Sequence, residues 1–126
     1  MMSPNAIHPF TAHFPIALFV AGVLLLFLGR YKSRPVWVAA GSVNLSFGLL
    51  AVMTAVFTGL FSADIGLFST EEIEGHQGWS FLAVILFAVC VVYSYTRTFS
   101  SGAIFFYCAN FLALCASVYS GYILIF

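Results

Sequence analysis

Every charged side chain in this sequence falls in one of three short stretches, and four apolar segments fill the intervals. Arg30, Lys32 and Arg34 form the first stretch. Asp64, Glu71, Glu72 and Glu74 form the second, and Arg97 stands alone in the third. A helix needs about 20 residues to cross the hydrocarbon of a bilayer, and each interval supplies that length. Charged residues make up 6% of the chain against 63% hydrophobic, where a soluble domain carries roughly a quarter. Such a chain could not cover itself with a water-compatible surface. The pattern predicts an all-α fold, an integral membrane four-helix bundle making one transmembrane domain over residues 1–126 with no appended soluble domain.

The expected spans are residues 10–29, 36–61, 76–95 and 103–126. The first is too long for a signal-peptide core, and the Met-Met-Ser-Pro start lacks a basic n-region, so it reads as a retained helix. Pro15 falls in its first turns, where a missing N–H matters least. The second span carries Gly41, Ser42, Asn44, Ser46, Gly48, Thr54, Thr58 and Gly59. Small residues let helix backbones approach, and Asn or Ser can hydrogen-bond between helices, so this is the expected protein-facing helix. A loop is expected over Ser62 to Gly75, holding every acid, with Ser69 or Thr70 as the N-cap of the third helix.

The basic residues set the expected orientation. Arg30, Lys32, Arg34 and Arg97 lie in loops on one side of a four-span protein, which should be the cytoplasmic side. Both termini and the acidic loop then face outward, into a periplasm for a bacterial inner membrane. Trp37, Trp79, Tyr31, Tyr93 and Tyr95 read as interface anchors. Cys90, Cys108 and Cys115 read as small buried apolar residues without disulfide or metal spacing.

In this orientation His8, His13, Asp64 and His76 are expected at one membrane depth near the outer face. Imidazole is costly to bury unpaired in hydrocarbon and is the commonest transition-metal and haem ligand. Two chemistries suit the group. His13 with His76 could clamp a haem b between facing helices, with an 18% aromatic content to cover it. Alternatively, His8, His13, His76 and Asp64 could hold zinc, copper or iron. Five residues separate His8 from His13, which turns them about 140° apart on an ideal helix. That spacing counts against the compact metal site unless Pro9 folds His8 back. A proton relay, or histidines that merely hydrogen-bond neighbours with no cofactor at all, would use the same residues. No phosphate loop, nucleophile elbow or HExxH motif occurs, so soluble-type hydrolase or kinase chemistry is not expected. Zero formal net charge argues against nucleic acid, which needs a basic face.

The run Ile7-His8-Pro9-Phe10-Thr11-Ala12-His13-Phe14-Pro15-Ile16-Ala17-Leu18 resembles the opening of small four-helix membrane proteins grouped as the domain of unknown function family DUF2231. Thr58-Gly59, the outer loop, His76 and the Ser120-Gly121 ending are similar to later parts of that family's pattern. The resemblance implies four membrane helices and importance for His8, His13 and His76. Because members also occur joined to cytochrome-type domains, it tilts the expectation toward redox work. Two functions are therefore open. One is a haem- or metal-binding electron-transfer component. The other is a non-catalytic accessory subunit of a larger respiratory or photosynthetic membrane complex, in contact with lipid and other subunits.

Overall fold

The computed structural model describes residues 13–65 and 70–125, with side chains at 13–59 and 74–122. Four helices make up the described residues: α1 (His13–Tyr31), α2 (Pro35–Ile65), α3 (Thr70–Thr96) and α4 (Ser101–Ile125). Each contains a stretch long and apolar enough to cross a membrane, over His13–Tyr31, Pro35–Gly59, Glu74–Thr96 and Ser101–Tyr122.

Local chemistry explains the two tight connections. After α1, Ser33 takes a left-handed backbone with φ 53°. Its N–H donates to the Arg30 carbonyl at 3.2 Å, and Arg34 N–H donates to the Gly29 carbonyl at 2.7 Å. This is the Schellman pattern, which closes the orphan carbonyls of a helix end. Gly29 is required there, since a Cβ would lie 2.8 Å from the Val38 nitrogen. Pro35 then opens α2 at a position that needs no N–H. At the other connection Ser100 is the N-cap of α4: its hydroxyl accepts from Ala103 N–H at 3.2 Å and its carbonyl from Ile104 N–H at 3.0 Å.

Sequential helices pack against each other, and α4 closes back on α1. The result is an up-down-up-down ring with α1 and α3 on one diagonal. Phe19 and Phe87 meet across that diagonal, edge to face with centroids 5.2 Å apart. Around them lie Leu26, Leu45, Val52, Ala83, Cys90, Tyr107 and Leu114. Outward-facing positions are apolar as well: Leu24 on α1, Phe47, Leu50 and Phe57 on α2, Ile85 on α3, Phe105 and Leu112 on α4 are all exposed. That inversion of soluble-protein patterning is what hydrocarbon solvent permits.

Gly41, Ser42, Asn44, Ser46 and Gly48 of α2 face protein, while Thr54 is exposed and bonds back to its own helix at the Leu50 carbonyl. Asn44 Nδ2 donates to the Leu18 carbonyl at 2.6 Å, and Ser42 Oγ to the Ser94 carbonyl at 2.9 Å. These tie α2 to α1 and α3.

Several expectations need correction. α2 continues into the expected loop, to Ile65, because hydropathy marks where the membrane ends and a helix can run on into water; α3 starts at Thr70, where Ser69 or Thr70 was expected to open it. Asp64 is thus in the last turn of α2 rather than beyond it. Cys108 is exposed, not buried, which costs little for a weakly polar thiol facing lipid. Tyr93 is an internal strut rather than an anchor: it stacks on Phe106, and its hydroxyl would lie 2.9 Å from a Cβ at Gly102. Tyr95 shares a hydrogen bond with Ser46 at 2.9 Å.

Candidate functional site

The end of the α3–α4 seam where α3 begins and α4 finishes carries the most developed polar arrangement near the histidines. His76 and Ser80 lie one helical turn apart on α3, and Ser117 and Ser120 are similarly spaced on α4, so each pair shares a face. His76 Nδ1 and Ser120 Oγ are 2.9 Å apart. Ser120 gives its only proton to the Ser117 carbonyl at 3.0 Å, so in that pair it accepts, and the imidazole is the Nδ1–H donor. In a neutral ring this makes Nε2 the basic nitrogen. Ser80 likewise donates to the His76 carbonyl at 2.9 Å and accepts from Ser117 Oγ at 2.8 Å.

Gly121 forms the floor beneath the ring. A Cβ there would lie 2.9 Å from His76 Cε1, so only glycine leaves room for the imidazole against α4. The half-buried ring is therefore held by a seat on one side and a directed hydrogen bond on another. Fixing one imidazole nitrogen by a hydrogen bond is how proteins orient ligating histidines, although a purely structural histidine gains the same rigidity.

His13 is placed differently. It opens α1 and is exposed. Phe19 and Phe87 touch, and at helical rise His13 lies about 9 Å from Phe19, and His76 about 16 Å from Phe87, toward the same end of the bundle. By this register His76 is about 7 Å nearer that end than His13. Each nonetheless falls at the start of its membrane-spanning stretch, His13–Tyr31 or Glu74–Thr96, with His76 nearly two turns inside the longer helix α3. His8 lies outside the described residues, and Asp64 is described only in its helical backbone. Among the described residues no group of three or more His, Cys, Asp or Glu side chains converges. The four-residue set thus falls partly outside them.

Ser80, Ser117, Ser120 and Gly121 carry the site's geometry, and the sequence pattern did not single them out as partners of His76. The available signal was their spacing, polar residues three and four apart within apolar segments. Deeper in the bundle, Asn110 is fully buried, and neither its Nδ2 nor its Oδ1 has a hydrogen-bond partner among the described residues.

Four apolar helices with a polar, histidine-bearing end define a small polytopic integral membrane protein. Residues 4–126 match the family model described as predicted membrane protein (DUF2231), and the chain belongs to that family. No curated protein and no solved structure matches it.

Proposed function

We propose that this protein is a small redox component of a bacterial inner membrane that binds a transition metal or haem at its outer end, with His76 as the anchored ligand. The observation that carries the reading is the His76 seat: Nδ1 bonded to Ser120, the ring packed on Gly121, and Nε2 as the basic nitrogen. His8, His13 and Asp64 are the candidate co-ligands. The offset of about 7 Å, more than one helical pitch, weighs against a haem clamped between His13 and His76 in the bundle interior. The Phe19–Phe87 contact filling that diagonal weighs the same way. Both favour a rim site instead. The four basic residues in the two short turns favour a cytoplasmic placement of those turns.

The filled interior and the apolar outer surface favour a second reading, an accessory subunit that holds no cofactor and packs among other membrane helices. Titration of the detergent-solubilised protein separates the two. The redox reading expects saturable binding of haemin or Co²⁺, followed by visible absorption, weakened at least about tenfold by His76→Ala. Binding of neither probe, or binding unchanged in His76→Ala, would leave the accessory reading.

A further inference from the structure

The buried amide of Asn110 makes no hydrogen bond, and it lies on α4 about 15 Å inward from Ser120, near mid-membrane. An unpaired amide is costly in any protein interior and more so where no bulk solvent is near. Asn110 and Ser117 are seven residues apart and so share a face of α4 within about 20°. Ser117 turns that face toward α3, where it meets Ser80. Between the two levels the buried side chains include Ala83 on α3 and, flanking the Asn110–Ser117 line on α4, Ala113 and Leu114; the two alanines present only methyl groups. The amide needs both a donor and an acceptor opposite it, delivered by something small enough for a fully enclosed position.

Water meets all three requirements. We propose that the α3–α4 seam carries water inward from the polar cluster at His76, past Ser80 and Ser117, to a binding site at the Asn110 amide. The path is a half-path. Inward of Asn110 the seam is closed by Cys90, whose thiol is given to the Phe106 carbonyl, and by Tyr107, whose hydroxyl is given to the Thr98 carbonyl. It stands independently of whether the histidines hold a cofactor.

The test is magic-angle-spinning NMR of ¹⁵N-asparagine-labelled protein in bilayers, reading transfer of water magnetisation to side-chain amides. Asn44, already bonded to the Leu18 carbonyl, is the internal comparison, and Asn110→Leu assigns the signal. Transfer to Asn110 should be at least about threefold faster than to Asn44 and should be lost in Ser117→Leu. An Asn110 amide that receives no water magnetisation overturns the proposal. Asn110→Leu is a second, independent reading. A satisfied amide replaced by a similar-sized apolar group should lower Tm by roughly 5 °C, and a rise in Tm would mean the amide is an orphan and also overturns it.

Discussion

Gly41→Ala should loosen the α1–α2 crossing, and the structure sets the size of the effect. At Gly41 an added Cβ would lie 2.8 Å from the Gly22 carbonyl oxygen and 2.9 Å from the Leu26 nitrogen. Both obstacles are backbone, so no side chain can turn aside. Ordinary contact needs about 3.5 Å, so the helices must part by roughly 0.6 Å, which forfeits about a quarter of each dispersion contact across the seam. Leu26 and Leu45 are fully buried there, and a buried leucine makes about 50 contacts of roughly 0.15 kcal/mol. With about half of those crossing the seam, the two leucines lose about 2 kcal/mol. Alanine's better helix propensity returns up to about 1 kcal/mol, leaving a net loss of about 1–2 kcal/mol. Gly78→Ala is the matched control: nothing lies within 4 Å of its added Cβ, so only the propensity gain remains. Reversible unfolding in mixed micelles with increasing SDS, followed by far-UV circular dichroism, measures both. A Gly41→Ala protein as stable as the parent, or a Gly78→Ala protein that falls equally far, would refute the close-approach reasoning.

Ser42→Ala removes the hydroxyl that joins α2 to the Ser94 carbonyl, which Thr98 Oγ1 still bonds. The same unfolding assay should show a loss of about 0.5–1.5 kcal/mol, and no loss would mean the bond is not formed in the folded protein. An uncharged maleimide should label the exposed Cys108 in micelles while the buried Cys90 reacts only after unfolding; mass spectrometry of the labelled peptides gives the order, and early labelling of Cys90 would contradict the packing. In a variant with its native cysteines replaced by alanine, Lys32→Cys should stay unlabelled by a membrane-impermeant maleimide on intact spheroplasts and react once they are opened. Labelling before opening would reverse the proposed orientation.

The number of helices and their approximate centres were legible because charge is confined to the turns and 20-residue apolar runs are an unambiguous signal in a chain this poor in polar residues. The C-terminal end of α2 was not, whereas Ser69 or Thr70 marked the start of α3. A window of hydropathy reports where lipid stops, and both Asp64 and Glu71 belong to helices that outlast the membrane. At the site, His76, taken as the first residue of its membrane span, lies past the first turn of α3, close to the start of the span Glu74–Thr96. That His76 needs a partner was legible from chemistry alone, since a histidine at the margin of an apolar span is costly to leave unpaired. Which partner it finds depends on the α3–α4 register, and only contacts such as Ser80 with Ser117 reveal that. Asn110 drew no notice in the sequence, as a single amide in a long apolar run gives no hint of whether it faces lipid, a neighbour or the core.

The measurement that bears most directly on the proposed role is a reduced-minus-oxidised visible spectrum, with metal analysis, of the protein purified from its native membrane. The His76→Ala protein should be prepared in parallel. A haem band or a stoichiometric transition metal, lost from His76→Ala while its helical circular dichroism is retained, is the result the outer-end cofactor site predicts. Neither signal in the parent protein, or the same signal in both, would contradict it.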